Sequence, residues 1–162
     1  MSQYATKDEC HMAAGKLLGL ASTADNIARY TFIELMGAES SKASAVFHTF
    51  TSLQPRIDMM NRVAKAFGDP EIAELTKAIC RKWQKVHNQR KLVAHALLAL
   101  SPGVPPKESS WVYIQPKSGE VKKATKKYLK SLVDQAHSAL MEMSKHHFDF
   151  FQRIDGLNKS TP

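Results

Sequence analysis

The stretch PEIAELTKAICRKWQKVHNQRKLVAHALLAL, residues 70–100, decides the fold. Its apolar residues advance by alternating steps of three and four, which places them on one face of a long α-helix. The members of this stripe are Ile72, Leu75, Ile79, Trp83, Val86, Arg90, Val93, Leu97 and Leu100. Arg90 is the only charged member. The sequence therefore predicts a helix over roughly 70–100 that turns one permanent cation toward the core.

Similar patterns on both sides of this stretch predict further helices. One covers residues 7–36, where Ser22, Thr23 and Asn26 allow a kink. After Gly37, a short helix and a third helix follow, and Pro55 fits the first turn of the third. Asp69 suits the N-cap of the fourth helix. A last long helix covers roughly 124–155. The stripe of the third helix contains Ile57, Met60, Val63 and Phe67, and that of the last contains Leu129, Leu132, Ala136, Leu140, Met143, His147, Phe150 and Ile154.

The segment between the last two helices has the pattern of a small β-hairpin. SPGVPP at 101–106 breaks the helix before it, and WVYIQ at 111–115 is rich in strand formers. PKSGE forms a turn, and Val121 begins a return strand. We therefore predict an all-α fold, a four- to five-helix bundle with a small β-hairpin insert near 109–122. Residues 1–156 form a single domain, and 157–162 form a flexible tail.

The composition is typical of a globular protein. The chain has 162 residues, of which 43% are hydrophobic and 23% charged. Its N-terminus lacks the apolar core of a signal peptide, and its longest apolar run, residues 92–100, is too short to span a bilayer. The two cysteines, Cys10 and Cys80, fit no metal or redox spacing and are expected to be reduced thiols. These features predict a soluble cytoplasmic protein with no membrane association.

Positive charge is concentrated in the second half of the chain. Residues 1–80 have a net charge of −1 and residues 81–162 a net charge of +9. A basic region of this kind attracts polyanions such as RNA. The residues predicted to contact RNA phosphates are Lys122, Lys123, Lys126, Lys127 and Lys130. The alternative interpretation is a solvated lysine-rich face with no nucleic-acid partner.

The stretch RKLVAH, residues 90–95, carries the chemistry that is hardest to explain as packing. A buried guanidinium needs a carboxylate, backbone carbonyls, water or an anionic ligand. His95 follows five residues later, which on a continuous helix points it about 140° away from Arg90. Lys91 and Asn88 complete a polar cluster on this helix.

This arrangement resembles the HEPN family, whose members are helical bundles that often carry R-x4-6-H late in a long helix. The motif stands here as Arg90-Lys91-Leu92-Val93-Ala94-His95-Ala96. FIELMG with Glu34, the segment 43–67 and the predicted hairpin extend the resemblance over most of residues 20–155. The resemblance implies a metal-independent RNA endonuclease of toxin or defence type, acting as a homodimer, with an antitoxin-type protein as a possible partner. It implies no cofactor and no metal.

In that interpretation Arg90 and His95 are the catalytic residues, and Lys91, Asn88 and Glu34 support them. Imidazole titrates near neutral pH and suits a general base or acid, whereas the guanidinium fork matches two phosphate oxygens. Because each chain supplies only one motif histidine, a two-fold site with two His95 side chains would provide both a base and an acid.

The sequence leaves a second interpretation open, a catalytically inactive HEPN-like binding or scaffold module for RNA or a protein. Lys91 stands where the family usually has Asn, and Ala96 where it often has Gly. Arg90 would then be a structural cation paired with Glu34. Whether the protein is an enzyme stays undecided at this level. His146 and His147 are adjacent on a helix and face different ways, which argues against a metal site.

Overall fold

The structure, a computed structural model, describes residues 4–94, 97–99, 110–114 and 121–160. Within this part of the chain five helices are present: α1 (Lys7–Met36), α2 (Ser40–Thr49), α3 (Leu53–Phe67), α4 (Pro70–Ala94) and α5 (Lys126–Ser160). Three short strands lie between α4 and α5, namely β1 (Leu97–Ala99), β2 (Ser110–Ile114) and β3 (Val121–Lys123). The predicted helical fold class is confirmed.

Side-chain caps fix the starts of the long helices. At α1, the Thr6 hydroxyl accepts a hydrogen bond from the Glu9 N–H at 3.2 Å, and the Glu9 carboxylate accepts one from the Thr6 N–H at 2.8 Å. This reciprocal pair is a capping box. Asp69 caps α4 through the Ile72 N–H at 2.9 Å, which confirms the predicted N-cap. Just before it, Gly68 ends α3 with φ of 89°, a conformation that favours glycine.

Helix α1 is assigned as one helix over Lys7–Met36, so its polar residues do not break it. Ser22, Thr23 and Asn26 are all exposed, so their side chains do not interrupt the buried face. The buried positions in this part of the helix are small, since Ala24 and Ala28 are both 0% exposed.

Helix α4 ends earlier than predicted. It stops at Ala94, and residues 97–99 form strand β1, which pairs antiparallel with β2 in the register Leu97↔Val112 and Ala99↔Ser110. The prediction of a helix to residue 100 is therefore wrong at its last turns. A short apolar run satisfies a helix and a strand equally well, and backbone pairing with β2 selects the strand.

The three strands form one antiparallel sheet in the order β1-β2-β3. Strand β3 pairs with β2 in the register Val112↔Lys123 and Ile114↔Val121. Residues 115–120, where the predicted hairpin would turn, lie outside the described residues. The hairpin as a closed motif stays a prediction.

The chain divides into two compact units. Unit 1 consists of Met1–Ala21 and Val86–Ser138, and unit 2 of Ser22–Lys85 and Ala139–Pro162. The single domain predicted over 1–156 stays a prediction. Helix α5 continues to Ser160, four residues into the stretch predicted as a flexible tail.

In unit 2 an aromatic cluster forms the centre of the core. Phe47 stacks on Trp83 with ring centroids 5.9 Å apart and lies 5.6 Å from Phe32, and all three side chains are 0% exposed. The Trp83 indole N–H donates to the Asp25 carboxylate at 2.7 Å, which satisfies its only polar group. Phe67, predicted in the buried stripe of α3, is exposed, because the stripe ends with Ala64.

In unit 1 the buried side chains come from three helices, α1, α4 and α5. Leu17 and Cys10 of α1, Val86 and Val93 of α4, and Leu129, Leu132 and Ala136 of α5 are all buried. The Gln89 amide donates to the Gln135 carbonyl oxygen at 3.1 Å and links α4 to α5. An Ala5 N–H to Ala124 carbonyl bond of 3.0 Å joins the segment before α1 to that before α5.

The two cysteines are free thiols in separate units. Cys10 is 0% exposed in unit 1, and Cys80 is 2% exposed in unit 2. Burial raises the pKa of Cys10 to about 11 and that of Cys80 to about 12. Both thiols are therefore protonated and poorly nucleophilic at neutral pH.

Candidate functional site at the end of helix α4

Arg90 lies near the C-terminal end of α4, on the face that the apolar periodicity assigns to it. Val86, one turn before it, is 0% exposed, and Val93, one turn after it, is 4% exposed. Arg90 itself is half-buried. A side chain in this setting covers apolar surface with its stem and keeps its guanidinium near solvent. The prediction of a cation on the core-facing stripe is confirmed, with the qualification that Arg90 is not fully buried.

The guanidinium of Arg90 has no ion pair with a described carboxylate of its own unit. The described acids of unit 1 are Asp8, Glu9 and Asp134, and Glu9 pairs with Lys126 instead. Glu34, the predicted partner, is a half-buried residue of unit 2. The Arg90–Glu34 pairing stays a prediction.

His95 lies outside the described residues. Helix α4 ends at Ala94, directly before it, and the chain is extended again from Leu97. The expected separation of about 140° between Arg90 and His95 assumes a helix that runs through both. The direction of His95 relative to Arg90 stays a prediction, because His95 is not among the described residues.

The two polar neighbours, Lys91 and Asn88, are exposed on α4. They are three residues apart, so they share one helix face, whereas Arg90 lies on another. The structure therefore brings Lys91 and Asn88 together on solvent-facing surface and does not place either beside Arg90 on the buried stripe.

The predicted RNA-binding lysines differ in their surroundings. Lys127 and Lys130 are exposed on the first turns of α5. The Lys126 ammonium lies 2.8 Å from the Glu9 carboxylate, and this contact holds the pKa of Glu9 below its usual value. Lys122 and Lys123 belong to strand β3, and their side chains lie outside the described residues. A lysine already paired with a carboxylate is a weaker phosphate ligand, so Lys126 is the least suited of the three described ones.

A groove of about 440 Å³ separates the first turns of α1 from those of α5. Its lining mixes apolar and charged side chains: Glu9, Met12, Ala13, Lys16, Lys126, Leu129, Lys130, Val133 and Asp134. Two carboxylates stand among three ammonium groups. The groove is therefore not a uniformly positive channel.

A second pocket, which the sequence analysis did not identify, lies in unit 2. It has a volume of about 400 Å³ and is lined by Ala78, Arg81, Lys82, Lys85 and His146. The four α4 residues follow the spacing of one helix face, which was visible in the sequence. Their meeting with His146 of α5 depends on tertiary packing, which has no local signature in the sequence.

Metal binding finds no support in the described residues. Among residues 4–94, 97–99, 110–114 and 121–160, no three His, Cys, Asp or Glu side chains are grouped closely enough to hold an ion. None of the described helices combines the length and the apolar character needed to cross a membrane.

Comparisons with known proteins do not extend this picture. No family model, no curated protein and no solved structure matches the chain.

Proposed function

We propose that the protein is a HEPN-like, metal-independent RNA endonuclease that uses Arg90 and His95. The observation that carries this proposal is the setting of Arg90. It is a half-buried cation between Val86 and Val93, with no described carboxylate partner in its unit, in the last described turns of α4. A cation held in this way is available for an anionic ligand such as a phosphate.

The proposed reaction uses the RNA's own 2′-hydroxyl as nucleophile. An imidazole accepts the hydroxyl proton as the 2′-oxygen forms a bond to the adjacent phosphorus, and the bond from phosphorus to the 5′-oxygen breaks. A second imidazole donates a proton to the departing 5′-oxygen. Arg90 stabilises the charge that builds on the non-bridging oxygens. Since one chain has one motif histidine, the second imidazole is that of a second copy.

The alternative function is RNA binding without cleavage. Lys91 and Ala96 depart from the usual family motif, and Lys127 and Lys130 offer exposed ammonium groups for phosphate contacts. In this function a protein partner of antitoxin type or an RNA would be held rather than processed. The distinguishing property is turnover, because both functions predict salt-sensitive RNA binding.

The test of the enzyme is RNA cleavage by purified Arg90→Ala and His95→Ala proteins. Each substitution should abolish cleavage while circular dichroism shows a retained fold. Products should end in 2′,3′-cyclic phosphate, and EDTA should leave the rate unchanged. Arg62→Ala and His137→Ala are matched controls, since both positions are exposed and lie outside the motif. Cleavage that persists in His95→Ala protein would refute the proposal.

The same preparations decide the alternative. If no cleavage is detected, anisotropy of a labelled single-stranded RNA measures binding across a salt series. The Lys127→Gln/Lys130→Gln variant should then reduce the log–log salt slope by about 0.7 for each lost phosphate contact. Salt-dependent binding without turnover supports the binding module. Absence of both binding and turnover removes both functions.

A further inference from the structure

The pocket of unit 2 gathers basic side chains from two helices at one place. Arg81, Lys82 and Lys85 project from α4, and His146 projects from α5. On α4 they follow Ala78 at spacings of three, four and seven residues, which is one helix face over two turns. Ala78, which also lines the pocket, has the smallest side chain of the set.

Among the lining residues and Glu142, positive charge exceeds negative charge. Glu142 pairs with Lys82, and this contact is the largest cause that lowers the pKa of Glu142. Lys85 and His146 act on the same carboxylate from a distance. Arg81 and Lys85 are exposed, four residues apart, and have no ion pair within the described residues. Like charges at this spacing repel each other and destabilise the helix slightly. One carboxylate against three permanent cations leaves an excess of two positive charges.

We propose that this pocket binds a phosphate group. A phosphate monoester carries a charge of about −1.5 to −2 at neutral pH, which matches the excess. Arg81 supplies a planar fork for two phosphate oxygens, Lys85 supplies a mobile ammonium, and the His146 imidazole supplies a ring N–H. The group can be the monoester of a free nucleotide or a phosphodiester of a nucleic-acid backbone, which carries about one negative charge, because both present anionic oxygens to the same donors.

This binding does not depend on the cleavage chemistry proposed for Arg90 and His95. The pocket lies in unit 2 and uses neither residue, whereas Arg90 belongs to unit 1. A protein that fails to cleave RNA can still bind phosphate here. Conversely, loss of the pocket leaves the motif of α4 intact.

The test uses two paired comparisons on the full chain. In the first, Ala78→Glu is compared with Ala78→Gln. The two side chains have nearly the same size, but only the first places a carboxylate in the pocket lining. In the second, Arg81→Gln/Lys85→Gln is compared with Arg62→Gln/Lys65→Gln, which removes one arginine and one lysine from exposed positions of α3 in the same unit.

Two probes distinguish the source of the phosphate. Inorganic phosphate and AMP are titrated while backbone NMR shifts are followed, and a labelled single-stranded RNA is titrated by anisotropy. Both small probes should shift the amides of 78–85 and 142–146. The Arg81/Lys85 variant should weaken binding by about tenfold or more, because charge-assisted hydrogen bonds are the strong ones. Ala78→Glu should do the same, and each control should change affinity by less than about twofold.

The results with RNA and with the small probes distinguish the two sources of the phosphate. If RNA binding falls with the Arg81/Lys85 variant, the phosphate belongs to a nucleic-acid backbone. If only phosphate and AMP binding fall, a free nucleotide is the ligand. Equal losses in the Arg81/Lys85 and Arg62/Lys65 variants would show a general effect of charge and overturn the proposal. So would the absence of any amide shift near the pocket. Thermal melts of all variants verify folding. Ala78→Gln shows whether a larger side chain at position 78 is tolerated without the added charge.

Discussion

His147 shows how a single polar side chain is accommodated on a buried face. Its Nδ1 lies 2.9 Å from the hydroxyl of Thr31, which is 0% exposed. That hydroxyl donates its one proton to the Ile27 carbonyl at 2.9 Å, so Nδ1 of the neutral imidazole is the donor to Thr31. Burial lowers the pKa of His147 from its usual 6.5. The folded protein therefore favours the neutral ring.

This lowered pKa predicts a loss of stability in mild acid. The unfolded chain takes up the proton near pH 6.5, before the folded protein does, so the contribution of His147 is complete above that pH. It is lost as pH falls through the lower folded pKa. Between pH 7.5 and pH 5, wild-type Tm should therefore fall more than that of His147→Gln, which keeps a polar group but does not titrate.

The exposed histidine of the same helix provides the control. His137→Gln should follow the wild-type pH profile, because His137 is exposed and lacks this burial. Differential scanning fluorimetry at four or five pH values is sufficient. Parallel profiles for wild-type and His147→Gln proteins would contradict the assignment.

For single residues, the sequence predicts which helix face a side chain lies on better than it predicts its hydrogen-bond or ion-pair partner. The three-four spacing placed Arg90 and His147 on the inner stripes of their helices, because helical geometry depends on local spacing alone. The Thr31–His147 hydrogen bond joins residues 116 positions apart and has no local signature. The relation of Arg90 to Glu34 is of the same kind, which is why it stays a prediction.

Among the elements, helix α4 has the most heavily anchored start. Asp69 caps its first turn and accepts hydrogen bonds from Arg153 of α5 at 2.6 and 3.1 Å. Arg153 also lies 3.2 Å from Glu71. The guanidinium is the first cause of the lowered pKa of Asp69, and the Ile72 N–H is the second. One carboxylate thus fixes both the beginning of α4 and its attachment to α5 within unit 2.

The two roles of Asp69 can be separated by substitution. Asp69→Ala removes the cap and the ion pair and should lower Tm by about 2–4 °C or more. Asp69→Asn keeps a good capping group and loses the charge, so its effect should be smaller. Arg153→Gln removes the ion pair alone and should resemble Asp69→Asn. Thermal melts of the three proteins provide the comparison. An Asp69→Asn protein as unstable as Asp69→Ala would show that the cap contributes little.

The element boundaries show where local patterns stop being informative. Asp69 was recognisable as a cap because its type and position precede a helical stripe. The end of α4 was not, since Leu97–Ala99 continues the apolar pattern and becomes a strand only through its pairing with β2. That pairing is a non-local event, and a pattern read along one segment does not contain it.

For the whole molecule, the proposed chemistry predicts a homodimer. Cleavage needs one imidazole to accept a proton and another to donate one, and each chain supplies one motif histidine. Light scattering at micromolar concentration should therefore give about twice the chain mass of 18.1 kDa. A mass of one chain across the whole concentration range would remove the composite site.

The net charge of the molecule could be predicted from its sequence, but the places where charges meet in the folded chain could not. The excess of positive charge after residue 80 follows from counting, and it led to the lysines of the segment 117–130. In the folded chain, Lys126 is paired with Glu9, and the pocket of unit 2 is lined by Arg81, Lys82, Lys85 and His146. Folding brings together residues that counting along the chain keeps apart.

Each unit contains one buried cysteine whose rate of alkylation reports how often that unit opens. Cys10 and Cys80 are sealed in separate units, and a thiol reagent can reach either one only when its surroundings open. Mass spectrometry after timed alkylation therefore records two opening rates from one unmodified sample. Equal rates that rise together with denaturant would identify one cooperative unfolding event, and unequal rates would identify the unit that yields first.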